Sequence, residues 1–318
     1  MARWTLSSID AHYGNHMSST AIILIAISAL LHASWNLISK KEHPTAAFFL
    51  AVNLIGTLFL CPLLFFYGYQ LAQFPPLVWV FLGLTGLCQA VYMVSLAGAY
   101  RHGDISIAYP VVRSSPMLVV MVVVFILGRG DQVSSQSIAG IFLVVLGSVV
   151  LPMKHFADFR VANYRNPSCL LGLLAACATA GYSIIDDEAL RRLQGLPELG
   201  IDAVETTLLY ALMQGSSACL WLGFVVLVKR EGRAAFARVV RAQMRPAALT
   251  GVGMYITYPL VLVSMAFVDN VSYVVAFRQI SIPIGVGLGI LLLNEPRYVP
   301  KFAGTALIFV GLLLVGTG

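Results

Sequence analysis

Runs of about 20 predominantly apolar residues recur along the whole chain, separated by short stretches rich in Pro, Gly and charged residues. A helix of this length crosses the hydrocarbon core of a bilayer, so each run is predicted to be a transmembrane helix. Barrel strands are excluded because the runs are too long and unbroken, and lipid forces the backbone groups to pair within each segment. The predicted spans are 19–39, 46–68, 77–99, 105–127, 136–153, 168–186, 204–228, 246–267, 270–292 and 299–317.

The chain repeats itself at a shift of 164 or 165 residues. The coinciding pairs are Asp104 with Asp269, Arg113 with Arg278, Asp131 with Glu295, Gly140 with Gly304, and Gly147 with Gly311. Two tandem halves of five helices each must enter the membrane in opposite directions, because five is an odd number. The predicted fold class is an all-α membrane protein with ten transmembrane helices, arranged as two inverted five-helix repeats. The predicted domains are a polar N-terminal arm (1–17), a first repeat (18–153) and a second repeat (168–317).

Composition agrees with a membrane location. The chain has 318 residues, of which 59% are hydrophobic and only 11% are charged, whereas soluble domains carry about 25% charged residues. The net charge of +6 does not indicate nucleic-acid binding, because six of the twenty Lys and Arg residues fall in the single connection Lys229–Arg245. Such a loop is typical of the cytoplasmic side of a multi-pass protein. We expect the lipid bilayer as a partner, no nucleic acid, and an inner (plasma) membrane location.

The sequence contains no signature of a catalytic or metal site. H-E-x-x-H, G-x-S-x-G and P-loop patterns are missing, and the five cysteines form no C-x-x-C pair. We therefore expect no enzyme activity, no catalytic residues, no metal and no cofactor.

Two arginines lie inside predicted spans, which makes them the first candidates for substrate contact. An arginine in mid-span costs about 2.5–3.5 kcal/mol on insertion scales and persists with a partner, water or a function. Asp104 and Asp269 stand nine residues before Arg113 and Arg278. At about 100° per residue they lie on the opposite helical face, so we expect the aspartates to act as N-caps. The arginines then face polar groups or an anionic substrate; snorkelling or bonding to carbonyls freed by Pro110, Pro116 and Pro283 is the structural alternative.

Polar side chains also form stripes on several predicted spans, as expected of helices around a wet, aromatic-walled cavity. On the first span the stripe includes His32, which is either a proton carrier or an interhelical hydrogen bonder. No carboxylate lies deep in a predicted span, because Asp186, Asp187, Glu188 and Glu205 all fall near span ends. This argues for an anionic or zwitterionic substrate over a lipophilic cation. The predicted substrate-binding residues are His32, Trp35, Asn36, Gln89, Tyr92, Tyr109, Arg113, Tyr182, Tyr258 and Arg278.

Three segments resemble the drug/metabolite transporter superfamily in its ten-helix EamA-like branch. They are LLHASWNLISKK in the first span, AYRHGDISIAYPVVRSSP entering the fourth, and LLLNEPRYVPKFAGTALIFVGLLLVG at the end. The resemblance covers nearly the whole chain and implies a ten-helix transporter, in a superfamily whose substrates range from amino acids and sugars to drugs. One departure is GRGDQVSS, which stands where the first half should match NEPRYVP. The resemblance implies cytoplasmic termini, whereas the Lys and Arg count of the loops favours termini outside.

The expected function is a secondary transporter that moves a small anionic or zwitterionic metabolite, such as an amino acid or organic acid, by alternating access. The alternative is multidrug or amphiphile efflux, and a non-transporting membrane scaffold is a third reading. The glycines at 140, 147, 304 and 311 lie on one face of their spans and predict close helix packing, either between the halves or in a homodimer.

Overall fold

The computed structural model describes residues 19–126, 134–157, 165–265 and 277–317, and of Tyr258 it describes only the backbone. Within these ranges all regular structure is helical. The polar arm 1–17, Asp131 and Asp269 lie outside the described residues.

The described helices follow the predicted spans in order. They are α1 (Ser19–Lys41), α2 (Ala46–Leu60), α3 (Leu63–Tyr67), α4 (Pro76–His102), α5 (Ile105–Ile126), α6 (Ser135–Val150), α7 (Pro167–Gln194), α8 (Ala203–Leu227), α9 (Arg230–Ala242), α10 (Met244–Met265), α11 (Ser281–Leu292) and α12 (Val299–Thr317). Short 3₁₀ turns occupy Gly68–Gln73 and Pro197–Leu199.

Several of these helices begin at the polar residues that helix starts prefer. Thr45 and Asn166 accept hydrogen bonds from the amides of Phe48 and Cys169, at the N-termini of α2 and α7. Asp202 and Glu205 form a capping box at the start of α8.

Five of the described helices are long and apolar enough to cross a membrane, namely α1, α4, α7, α8 and α12. A sixth is added if α2 and the segment 63–73 count as one bent span. Helices α6 and α11 are apolar but shorter, at 16 and 12 residues. The chain is therefore a multi-pass helical membrane protein.

The predicted second span, 46–68, is bent rather than straight. The axis turns by 49° between Ala46–Leu60 and Leu63–Gln73. Pro62 has no amide hydrogen, and the next turn tightens, with the amide of Leu64 bonded to the carbonyl of Cys61 at 3.0 Å. The proline therefore explains the bend.

One predicted boundary was wrong because charged residues were interpreted as a helix end, and one helix was not predicted. Helix α7 does not stop near residue 186 but continues to Gln194, supported by the i,i+4 pairs Asp187–Arg191 and Glu188–Arg192. The basic connection Lys229–Pro246 contains a 13-residue helix, α9. Both segments are charged on their exposed sides and still helical.

The ninth predicted span, 270–292, contains a break at its arginine. Arg278 lies before α11, which begins at Ser281 after a turn at Gln279 and Ile280. Pro283 falls in the first turn of α11, where its missing N–H costs no hydrogen bond. In α5, by contrast, the helix continues past Pro110 and Pro116.

Helices α6 and α12 pack with their backbones in close contact. A methyl group added to Gly147 would lie 2.7 Å from the carbonyl oxygen of Gly304, and one added to Gly140 would lie 2.6 Å from that of Gly311. The two helices therefore run antiparallel, and the glycine faces meet within one chain. Whether the protein also forms a homodimer through its glycine-bearing helices stays a prediction.

The remaining long helices pack in interleaved pairs. Helix α4 lies against α7 and α8, α1 against α10 and α11, α5 against α7 and α11, and α2 against α8 and α10. Each of these pairs joins a helix that precedes residue 153 to one that follows residue 165. The core is thus shared between the two parts of the chain.

Substitution of Gly147 by alanine is expected to destabilise the protein, because the methyl group meets the backbone of Gly304. We expect the free energy of unfolding to fall by about 1–3 kcal/mol, measured by thermal or denaturant unfolding in detergent. The matched control is Gly223→Ala in α8, where an added methyl group meets nothing within 4 Å. Equal stability of the two variants would contradict the close α6–α12 contact.

Candidate functional site

A cavity of about 570 Å³ lies in the centre of the bundle. Its lining comes from α1, α2, α4, α5, α7, α8 and α10, together with Arg278 ahead of α11. Polar and aromatic side chains dominate the wall, as the stripes on the predicted spans indicated.

Seven of the ten predicted substrate-binding residues line this cavity. They are His32, Trp35, Gln89, Tyr92, Arg113, Tyr182 and Arg278. The side chain of Tyr258 lies outside the described residues. The cavity brings the seven together; their contact with a substrate stays a prediction.

Asn36 and Tyr109 do not line the cavity. Asn36 accepts a hydrogen bond from the hydroxyl of Tyr100 at 2.6 Å and donates one to the carbonyl of His32 at 2.7 Å, so it ties α1 to α4. Tyr109 is buried against α11, where a methyl group on Gly285 would lie 2.6 Å from its ring. Each of these residues supports the wall from behind.

The deep part of the cavity carries hydrogen-bond donors. The rings of His32 and Trp35 meet edge to face, with centroids 5.0 Å apart. A narrow recess beside the cavity is also lined by His32, Arg113 and Arg278, and Ser28 and Thr257 form its other side. Among the described residues, Trp35 Nε1 and Arg113 Nε are buried without a hydrogen-bond partner. The guanidinium groups of Arg113 and Arg278 carry only donors, so the positive charge on this part of the wall is chemically suited to an acceptor group.

The opposite part of the cavity carries a carboxyl group that binds side chains of two neighbouring helices. Asp186 Oδ1 accepts hydrogen bonds from Thr85 of α4 and from Tyr210 of α8, both at 2.7 Å. Gln214 Nε2 donates to Asp186 Oδ2 and, at 3.2 Å, to Thr85 Oγ1. Asp186 therefore holds α4, α7 and α8 together at the cavity wall.

The prediction that no carboxylate lies deep in a span was wrong for Asp186. Because α7 continues to Gln194, the residue lies eight positions before the helix end. The sequence held a signal, since Asp186 follows Tyr182 and Thr179 at helical spacing on one face.

A second polar cluster connects α2, α8 and α10 beside the cavity. Tyr255 donates to Asn53 Oδ1 at 2.9 Å, and Asn53 Nδ2 donates to the carbonyl of Gly215 at 3.1 Å. The hydroxyls of Thr57 and Tyr255 lie 3.1 Å apart. These bonds fix the cavity wall that α2, α8 and α10 form.

One end of the bundle is closed by charged and polar contacts, of which those of Glu295 and Lys301 join its two parts. Glu295 accepts hydrogen bonds from the first two amides of α5, from Ile105 at 2.7 Å and from Ser106 at 3.0 Å. The fully buried Lys301 pairs with Asp104 at 3.4 Å and donates to the carbonyl of Pro296 at 2.9 Å. Lys40 donates to the carbonyls of Tyr100 and Gly103 at the end of α4.

These contacts correct the expected role of Asp104. The residue occupies the position before α5, but its carboxylate binds Lys301, and Glu295 supplies the capping oxygens instead. A carboxylate at a helix N-terminus is favourable for either residue, so sequence spacing alone could not choose between them.

The cavity extends toward the other end of the bundle. Its lining there includes Leu60 at the end of α2, Leu190 in the last turns of α7 and Thr207 at the start of α8. The start of α4 lies at the same end, since Phe74 and Val78 belong to one hydrophobic cluster with Leu193 and Leu209. The end of α4, with its Lys40 contact, is therefore at the closed end.

Among the described residues, no three His, Cys, Asp or Glu side chains are grouped closely enough to hold a metal ion. The chemistry of the cavity is that of hydrogen bonding, charge and aromatic surface.

Comparison with known proteins agrees with this picture. A solved structure described as "Crystal structure of protein" aligns with 94% of this chain and 98% of its own, with a TM-score of 0.53 and 19% sequence identity. At that identity the similarity concerns the fold alone. No curated protein matches the chain.

The fold and cavity define a multi-pass helical membrane protein with a polar central chamber. Residues 19–152 match the model of the EamA-like transporter family. The predicted resemblance to the drug/metabolite transporter superfamily is thereby confirmed.

Replacement of Asp186 by asparagine is expected to destabilise the α4–α7–α8 contact. The new amide would present donors to Gln214, and the remaining bonds would lose the charge assistance of a carboxylate. We expect a loss of about 1.5–3 kcal/mol in the free energy of unfolding. The adjacent Asp187→Asn is the control, because Asp187 is exposed and pairs only with Arg191. A loss as large in the control would contradict the role assigned to Asp186.

Proposed function

We propose that the protein is a secondary transporter that moves a small anionic or zwitterionic organic metabolite across the inner (plasma) membrane. The family match supports a membrane transporter. The observation that carries the substrate class is the pair Arg113 and Arg278 on the wall of one central cavity. Ionisable side chains inside a membrane protein are costly and mark substrate or ion pathways.

The groups around the arginines support an acceptor-bearing substrate. Trp35 Nε1 and Arg113 Nε are buried donors without partners among the described residues. A carboxylate or phosphate group in the cavity would pair with the guanidinium of Arg113, which lines the wall. Aromatic rings at Tyr92 and Tyr182, with centroids 6.1 Å apart, offer a flat apolar surface for the rest of the molecule.

We infer further that the ten predicted spans form two inverted repeats. If the halves are equivalent, each span of the first half corresponds to the span five places later. The pair α4–α7 (spans three and six) then corresponds to the pair α10–α1 (spans eight and one), and both pairs are in contact. The same correspondence relates α5–α7 to α11–α1 and α4–α8 to α10–α2. Moreover, α6 and α12, the fifth span of each half, run antiparallel through equivalent glycines. This pattern supports a two-fold axis in the membrane plane.

Alternating access follows from such a repeat. The cavity extends toward the ends of α2 and α7, while Glu295, Lys301 and Lys40 hold the opposite end together. An inverted repeat can exchange these two arrangements by rocking one half against the other.

Efflux of amphiphilic cations is the second candidate. Asp186 favours it, because a buried carboxylate on the cavity wall can bind a cation, and the aromatic wall suits a flat apolar molecule. The two candidates differ in which charge the transport requires.

The test is flux from proteoliposomes loaded with an equimolar mixture of amino acids, organic acids and tetraphenylphosphonium. We expect Arg113→Gln and Arg278→Gln each to reduce flux of an anionic or zwitterionic compound by roughly tenfold or more, the cost of losing a charge-assisted contact. Arg192→Gln is the control, since this arginine pairs on the surface with Glu188 and neither residue lines the cavity. Undiminished flux in both cavity variants would contradict the anion site. If tetraphenylphosphonium flux is lost in Asp186→Asn and kept in both arginine variants, the result would favour efflux of amphiphilic cations.

Alternating access predicts that accessibility changes at the two ends of the bundle. In a background with the five native cysteines replaced, a cysteine at Leu190 should react with a water-soluble maleimide faster than one at Ile105, which is fully buried. Addition of the transported compound should raise the rate at position 105. A cysteine at Leu193, buried in the cluster with Phe74, should stay protected throughout. If the maleimide reaction rates at positions 190 and 105 do not change when the transported compound is added, alternating access between the two ends is excluded.

A further inference from the structure

We propose that helix α9 is a binding site for the phosphate headgroups of anionic phospholipids. It lies between α8, which is long and apolar enough to span the membrane, and α10. The helix therefore sits where the apolar span of α8 ends, close to the level of lipid headgroups.

The two faces of α9 differ in chemistry. At about 100° per residue, Arg230, Arg238 and Arg241 fall within an arc of about 80°. The opposite side carries Phe236 and Val239, which pack onto the protein core. Helix α9 therefore buries its apolar side in its own chain and turns its arginines outward.

Contacts at both ends hold α9 in this orientation. Arg233 Nη1 donates to the carbonyls of Leu227 and Val228 at 2.8 and 3.0 Å. Gln243 Nε2 donates to the backbone and the carboxylate of Glu42, both at 3.1 Å. A methyl group at Gly232 would collide with the carbonyl oxygen of Val226, so the turn into α9 is also tight. The helix is thus docked on the protein and cannot roll to insert its apolar side into lipid.

The positive charges on the exposed side of α9 have no acidic partner among the residues that the structure describes. Lys229, Arg230, Arg238, Arg241 and Arg245 are all exposed and make no ion pair within the described residues. The sole acidic residue of α9 is Glu231. Such a surface complements anionic headgroups.

An apolar surface leads directly into this cationic one. Leu220, Phe224 and Val228 lie at helical spacing on α8 and its C-cap and are 76%, 64% and 59% exposed. Lys229 follows at once. Acyl chains along α8 would bring the phosphate of the same lipid to Lys229 and Arg230. This continuity favours a lipid over a soluble anion or an acidic protein.

The test measures lipid binding to the full-length purified protein by native mass spectrometry. The probes are phosphatidylglycerol and phosphatidylcholine with identical acyl chains. In the variant with Arg230→Gln, Arg238→Gln and Arg241→Gln, we expect the affinity for phosphatidylglycerol to fall roughly tenfold or more. The variant with lysine at the same three positions should keep its affinity, because it keeps the charge.

The matched control has Lys154→Gln, Arg165→Gln and Arg297→Gln, three exposed residues outside α9 with the same change in net charge. It should bind phosphatidylglycerol like the unaltered protein. Should the triple glutamine variant not fold, as judged by thermal unfolding, the single changes Arg230→Gln and Arg241→Gln should each give a smaller loss. Three results would overturn the proposal: an equal loss in the control, equal binding of phosphatidylcholine, or displacement of the lipid by inorganic phosphate at matched concentration.

Discussion

Polar side chains inside an apolar bundle need partners, and here many of those partners come from the other part of the chain. The contacts that cross between the parts before and after residue 160 include Ser28 with Thr257, Asn53 with Tyr255, Thr85 with Asp186, Asp104 with Lys301, and the first amides of α5 with Glu295. An unsatisfied buried polar group costs about 1–3 kcal/mol, so each contact fixes the register of two helices. The position of every cavity wall depends on this set of bonds.

The two ends of the cavity differ in chemistry, because the buried polar side chains at each end have different partners. Asp186 is held by the neutral side chains of Thr85, Tyr210 and Gln214. At the other end, Arg113 and Arg278 share a recess with His32. A molecule with an acceptor group and an aromatic or cationic portion therefore meets complementary groups along one path. This arrangement supports the proposed small polar substrate over a purely lipophilic one.

Hydrophobic pattern was sufficient to predict an all-helical membrane protein, and helical spacing placed most cavity residues on inward faces. The boundaries of repeats and domains remain predictions. Sequence reasoning failed at Asp186, where charge was interpreted as a helix end, and it did not predict the helix α9 in the basic connection. It also could not predict that Glu295, rather than Asp104, caps α5, because that choice depends on a contact across 190 residues of sequence. Lys301 was missed although it lies in the predicted span 299–317, because a lysine in the first turn of a span is also expected to reach the membrane surface, and only the structure shows that its side chain is fully buried.

The contact between Glu295 and α5 also has a consequence for biosynthesis. When the ribosome has completed α5, the residue that will cap it has not yet been translated. The same is true of the partners of Asn53 and Thr85. The nascent first half must therefore hold unpaired polar side chains at the membrane until α7 and α10 emerge, and uncapped α5 amides until the segment after α11 emerges. Helices α1 to α6 thus complete their assembly only after the chain leaves the ribosome, and a product truncated before α11 would be a substrate for membrane quality control.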